Sequence, residues 1–271
     1  MKEEQFDFNG IKVHYYSVGQ GLPILMLHGT GPGASSIGNW NSVMEPLGKQ
    51  YKVYAMDLVG FGRSERKPAP PYFDFDLWLR QISAMMARIP GTGVGVIAHS
   101  LSASLALTLA AENPRIAAVL TTGAMGAPFE INDATLRTWT SPRNRQDLLV
   151  ALGGLIHDVS GIDEDYLQRR EQVLYSPGYA DYFDTMFSGD KYQYVHAATL
   201  PASVLSKVKC PVVMLHGLQD RGFPPSCTEA IAEHLPNADV CLLNHCSHSV
   251  AVERSSTFLA LANDLFERTL R

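Results

Sequence analysis

The run Pro23-Ile24-Leu25-Met26-Leu27 offers water no polar side chain. Five residues is strand length. Unbroken apolarity, rather than alternation, means a strand buried on both faces, as in a parallel sheet. Runs of the same character recur at residues 51–56, 94–98, 117–123, 211–215 and 239–243. Helical patterns lie between several of them, at residues 40–49, 76–89, 102–112 and 225–235. Strands covered on both sides and alternating with helices predict an α/β chain with a doubly wound, mostly parallel sheet. Ahead of them, residues 5–8 and 12–17 read as a strand pair turned at Asn9-Gly10, a hairpin signal.

The alternation stops between about residues 128 and 205, where aromatic and charged residues increase and residues 163–174 read as a helix. This predicts an inserted helical cap at 128–205 between two parts of one core, 1–127 and 206–271. A chain of 271 residues that is 46% hydrophobic has ample material for one large core. The net charge of −5 and the lack of basic runs argue against nucleic acid or a membrane surface as partner. An anionic ligand would therefore need a local cation. The opening MKEEQFDFNG has no apolar signal core, and no apolar run reaches membrane-spanning length. Cys210, Cys227, Cys241 and Cys246 have neither CxxC nor metal spacing, which suits reduced thiols in a cytoplasmic protein with no metal.

Ala98-His99-Ser100-Leu101-Ser102 follows one buried run and precedes a helix. Small residues two before and two after a serine allow strand and helix to pass closely at a tight turn, the geometry of a nucleophile elbow. A serine that merely caps the helix is the alternative. A nucleophilic hydroxyl needs a base, and the base an orienting acid, in the chain order Ser, acid, His for this fold. Asp220 follows the run at 211–215, and His248 lies beyond the run at 239–243. Both positions are at carboxyl ends of strands, where open α/β sheets collect ligands. His248 is preferred over His245 because Ser249-Val250-Ala251 looks like a helix start. His99 and His216 read as loop supports. An oxyanion hole would use the backbone N–H of Leu101, after the nucleophile, and that of Thr30 in His28-Gly29-Thr30-Gly31-Pro32-Gly33. That glycine run lacks the Gly-Lys-Ser/Thr ending of a phosphate loop.

With these residues in view, nearly the whole chain resembles the α/β-hydrolase fold. More narrowly it resembles the meta-cleavage-product hydrolases, carbon–carbon bond hydrolases of bacterial aromatic degradation. The resemblance rests on residues 28–34 (HGTGPGA) with Asn39-Trp40, on residues 57–64 (DLVGFGRS), on His216-Gly217 with Asp220-Arg221, and on Cys246-Ser247-His248. It implies a small-molecule anionic substrate, a 2-hydroxy-6-oxo-hexa-2,4-dienoate. The dienol becomes a ketone, the C6 carbonyl is attacked, and the C5–C6 bond breaks. No metal or organic cofactor is implied. It also implies dienoate contacts from Gly31, from Asn39 after the glycine-rich loop, and from Arg170 in the cap.

The chain departs from the family pattern at the elbow, where Ala98, His99 and Ser102 replace Gly, Asn and Gly. It departs again around His248, where Ser247 and Ser249 replace Gly and Trp. These changes keep a carboxylesterase or lactonase with the same three residues open as the alternative. A small-molecule receptor on this fold is a third reading, which the full Ser100, Asp220, His248 set argues against. Serine at the nucleophile position disfavours haloalkane dehalogenase chemistry, which uses a carboxylate there. Homodimer or monomer stays open.

Overall fold

The computed structural model describes residues 1–270. β1 (Lys2–Phe8) and β2 (Ile11–Val18) form the antiparallel hairpin. Asn9 (φ 55) and Gly10 (φ 81) turn it, both in the left-handed region that a two-residue turn of this hand requires. β2 also pairs antiparallel with β4 (Lys52–Met56). The remaining strands run parallel: β3 (Pro23–Leu27), β5 (Val94–His99), β6 (Ile116–Thr122), β7 (Val212–Gly217) and β8 (Ala238–Leu243). Their order across the sheet is β1-β2-β4-β3-β5-β6-β7-β8.

The unbroken apolarity of β3 has a direct cause. Leu25 and Leu27 enter one hydrophobic cluster, with Trp78, Ile82 and Leu105. Ile24 and Met26 enter the other, with Trp40, Phe258 and Phe266. Successive side chains point to opposite faces, and helices cover both. On the first side lie α2 (Phe75–Arg88) and α3 (Leu101–Ala110); on the second lie α1 (Ser36–Gly48) and α12 (Ser255–Thr269). Each fully buried Leu or Ile contributes roughly 2 kcal/mol. The sheet interior is thus the main favourable term of the fold.

Two expectations need correction. Residues 239–243 do not form a strand buried on both faces: β8 is the sheet edge, and Asp239 and Val240 are exposed. It has a partner on one side only, so only part of it is shielded. α1 begins four residues earlier than residue 40, because Ser35 caps it by accepting from the Gly38 N–H at 3.1 Å. This matters for the site, since Asn39 becomes a helix residue rather than a loop residue.

Every element between β6 and β7 is helical. In order these are α4 (Asp133–Thr138), α5 (Arg145–Leu152), a 3-10 turn (Val159–Gly161), α6 (Glu164–Leu174), α7 (Tyr179–Met186), α8 (Tyr192–Ala198) and α9 (Ala202–Leu205). After β7 come α10 (Ser226–Ala232) and, past β8, α11 (Val250–Glu253). Trp139, Phe183, Phe187 and Tyr194 form an aromatic cluster inside the inserted region, with Trp139 and Phe187 stacked at 5.9 Å.

Side-chain caps start most of the longer helices, as at Asp74, which accepts from the Leu77 N–H at 2.9 Å. Asp74→Ala is expected to lower the unfolding free energy by about 1 kcal/mol. Urea denaturation followed by circular dichroism measures this.

Candidate active site

Ser100 stands between β5 and α3 with φ 59 and ψ −126. A non-glycine residue in this region is strained by about 1–3 kcal/mol. Its neighbours over-determine it. Its N–H donates to the Thr122 carbonyl at 2.9 Å, and its own carbonyl accepts from Ala103 and Met125. Ser100 occupies the helix N-cap position, yet its hydroxyl makes no capping bond. The hydroxyl is therefore left free for other work. The departure at Ser102 also has a structural account: its Oγ donates to the His28 carbonyl at 2.5 Å and ties α3 to the glycine-rich loop.

That loop is held from within. His28 Nε2 accepts from the Leu58 N–H at 3.0 Å, so Nδ1 is the protonated nitrogen that donates to the Gly29 carbonyl at 2.6 Å. Burial keeps His28 below the ordinary imidazole range, despite the opposing pull of Asp57. Asp57, at the end of β4, accepts from the Ser36 and Arg63 N–H groups at 2.7 and 2.9 Å. It thereby joins the residues 57–64 stretch to the start of α1. Thr30 is buried beside Ser100, and Leu101 opens α3. Neither backbone N–H donates a hydrogen bond among the described residues, and the first amides of a helix lack intrahelical acceptors. Two unpartnered donors thus lie on the residues that the sequence suggests for an oxyanion hole, one on the glycine-rich loop and one next to Ser100 in the chain.

Asp220 and His248 come together from the loops after β7 and β8. His248 Nδ1 lies 2.6 Å from Asp220 Oδ2. The same oxygen lies 3.0 Å from His216 Nε2, while Oδ1 accepts from the Gly222 and Phe223 N–H groups. Burial by itself would raise the Asp220 pKa. The charge of His248 and hydrogen bonds from His216 and His248 overcome this and hold the carboxyl well below the usual range. His216 therefore supports the acid itself, beyond the general loop support read from its position. His248 is buried at the carboxyl edge of the sheet, whereas His245 faces outward beside His157 at 5.9 Å. Phe223 stacks on His248 with ring centroids 4.6 Å apart. Sequence reasoning missed this wall, because a lone phenylalanine in a loop carries no signal of its contact.

Ser100 and His248 share a small cavity of about 20 Å³ with Thr30, Gly31, Asn39 and Arg170. Such a volume has room for a water molecule or two. Leu101 is not among the residues that line it. A methyl on Gly31 would meet only ordinary contacts, with Leu155 and Thr138. Asn39 is buried, and its Oδ1 has no partner. It also borders a wider groove of about 350 Å³ between α1, α6 and α11. Arg170, on α6, is 3% exposed. Its Nη1 donates to the Pro32 carbonyl at 2.7 Å, its guanidinium lies 4.9 Å from the Tyr166 ring centre, and its Nε is unpartnered. Among the described residues no carboxylate pairs with it. Gly33 makes this docking possible: a Cβ there would stand 2.7 Å from the Arg170 carbonyl, and its φ is +64. A second tie joins the helical segment between β6 and β7 to the loop after β8, from the Ser249 N–H to the Leu155 carbonyl at 3.0 Å.

The sheet order, the elbow and the loop positions agree with a family match over residues 23–255, described as alpha/beta hydrolase fold. The chain belongs to that family. Among its curated relatives are a 2-hydroxy-6-oxo-2,4-heptadienoate hydrolase of Pseudomonas putida and a 2-hydroxymuconate semialdehyde hydrolase of a Pseudomonas species. Each is 25% identical, over 94% of this chain and 92% or 90% of the relative. A solved meta-cleavage product hydrolase superposes with a TM-score of 0.92 at 24% identity, covering 98% of both chains. The 2-hydroxy-6-oxo-6-phenylhexa-2,4-dienoate hydrolase of a Rhodococcus strain gives 0.89 at 23% identity, again over 98% of both. No helix among the described residues is long and apolar enough to cross a membrane.

Ser100→Gly is expected to raise the unfolding free energy by about 1 kcal/mol, because glycine is unstrained at this φ. Denaturant titration reads this directly. Asp220 is depressed in the fold, so its ionised form stabilises above the unfolded value near 3.8. That stability is lost as pH falls towards the folded value. Asp220→Asn is expected to melt lower than the parent at pH 7, with the gap narrowing below about pH 4.

Proposed function

We propose that this chain is a cofactor-independent serine hydrolase that cleaves the C5–C6 bond of a 2-hydroxy-6-oxo-hexa-2,4-dienoate in aromatic degradation. The observation that carries the reading is Arg170. A buried guanidinium without an anionic partner is costly, and this one opens on the cavity of Ser100 and His248. A ligand carboxylate supplies the missing charge, with Asn39 and the Gly31 backbone beside it. The names of the relatives support the dienoate class.

Ketonisation of the dienol moves a proton from the 2-hydroxyl to C5 and leaves a C2 ketone conjugated to C3=C4. His248, oriented by Asp220, takes a proton from Ser100 or from a water that Ser100 orients. The oxygen so activated adds to C6. The new oxyanion sits against the Thr30 and Leu101 N–H groups. Collapse breaks C5–C6, and its electron pair passes through C3=C4 onto the C2 oxygen, which is protonated. Where the Ser100 oxygen itself adds, a water deprotonated by His248 then hydrolyses the acyl-serine; by either route the products are a 2-hydroxypentadienoate and the carboxylic acid from C6, with one water consumed. The helices of 128–205 serve as the cap that closes the site. The four unpaired cysteines suit a cytoplasmic setting.

One observation favours the ester or lactone alternative: His99 lines the cavity where the resemblance leads to asparagine. Purified protein should therefore be given a dienoate and a p-nitrophenyl ester side by side. Rapid loss of the dienoate absorbance with feeble ester cleavage is expected; a stable dienoate with fast ester cleavage would reverse the assignment. Ser100→Ala is expected to lower dienoate turnover by about 10⁴-fold or more with an unchanged melting profile. Arg170→Ala is expected to lower dienoate kcat/KM by about 100-fold and to affect a neutral ester far less. Equal loss on both substrates would make Arg170 a structural residue.

A further inference from the structure

His99 precedes Ser100 at the end of β5. What it offers a ligand is decided by its other hydrogen bonds. Its Nδ1 lies 3.0 Å from the Thr122 carbonyl oxygen and 2.9 Å from Thr122 Oγ1. A carbonyl oxygen can only accept, so Nδ1 carries the proton, and Nε2 of the neutral ring is a bare lone pair.

Burial and the neighbouring His248, 4.6 Å away between ring centroids, hold His99 well below the usual imidazole range. Arg170 acts in the same direction, while Asp220 and the Thr122 carbonyl oppose it. The ring is therefore neutral near pH 7. Trp40, a fully buried indole, packs edge-on against the ring with centroids 6.2 Å apart.

Nε2 has no hydrogen-bond partner among the described residues. A methyl built on Gly29 would stand 3.4 Å from Nε2 and 3.1 Å from the Ser100 Cβ. The Cδ2–Nε2 edge of His99 and the Ser100 side chain thus both face Gly29, and both residues line the cavity that Arg170 also lines. A lone pair repels a carboxylate, an enolate oxygen or a ketone oxygen, and binds a hydroxyl. An asparagine amide could serve any of these by turning over; His99 cannot.

We propose that His99 Nε2 accepts the hydrogen bond of a hydroxyl on the carbon next to the ligand's carboxylate, so that this site takes the neutral enol of a 2-hydroxy-dienoate in preference to its dienolate. The inference rests on the dienoate reading above. His99 acts here as a specificity residue that selects the protonation state of the bound ligand.

The test uses the full chain carrying Ser100→Ala, so that ligand accumulates, with 2-hydroxy-6-oxo-hepta-2,4-dienoate at pH 7.5. The bound absorbance spectrum is expected to be that of the enol. Adding His99→Leu is expected to shift it to the longer-wavelength dienolate band and to weaken binding about tenfold, while His99→Asn restores part of both. An independent arm does not depend on the variants folding: the analogue lacking the 2-hydroxyl is expected to bind Ser100→Ala about tenfold more weakly than the parent dienoate. A spectrum unmoved by His99→Leu, or equal binding with and without the hydroxyl, overturns the role of His99 alone, provided the unsubstituted protein turns the dienoate over. A protein that neither binds nor turns over the dienoate overturns the dienoate reading, and this inference with it.

Discussion

The site depends on one strained residue. Ser100 is held at positive φ by hydrogen bonds from the end of β6, from the first turn of α3 and from the segment after β6. These bonds are strong because β5 and β6 lie side by side in the sheet interior, where water cannot compete. At this φ the hydroxyl makes no capping bond at the helix N-terminus, and the Leu101 N–H that follows it has no partner among the described residues.

Around that residue the buried charges are treated unequally. Asp220 receives four donors, two from histidines and two from backbone, and is satisfied within the protein. Arg170 receives one carbonyl and an aromatic face, with no anion. The fold thus satisfies one buried charge fully and leaves the other without a counter-charge, the asymmetry on which the proposed roles of a base-orienting acid and a ligand anchor rest. The open charge comes from the inserted helices and the satisfied one from the sheet loops. Docking of α6 against Pro32 and Gly33 is therefore what brings the two halves into one cavity.

Much of this was legible in the residues. The apolar runs told of a parallel sheet because only a sheet covered on both faces tolerates them, and β3 and β5 are such strands. β8 shows the limit of the argument: an apolar run at an edge looks the same as one in the middle. The same limit applies to Arg170 and Arg169. They differ by one position, yet a helix turns about 100° per residue, and only packing decides which one faces inward. His245 and His248 likewise sit on one loop; the 2.6 Å contact with Asp220 belongs to His248 alone.

By itself the sequence determined the α/β class, the order of the elements and the small residues that let strand, serine and helix meet, because these follow from side-chain size and hydrophobic period. Tertiary structure decided the rest. It showed that the Ser100 hydroxyl is free rather than capping, that Ser102 ties the helix to the glycine-rich loop, and that Arg170 is buried without an anion. It also placed His99, its Nδ1 held by Thr122, on the wall of the same cavity. Each of these depends on which groups distant in the chain come within hydrogen-bond reach, and residue type alone carries no record of that.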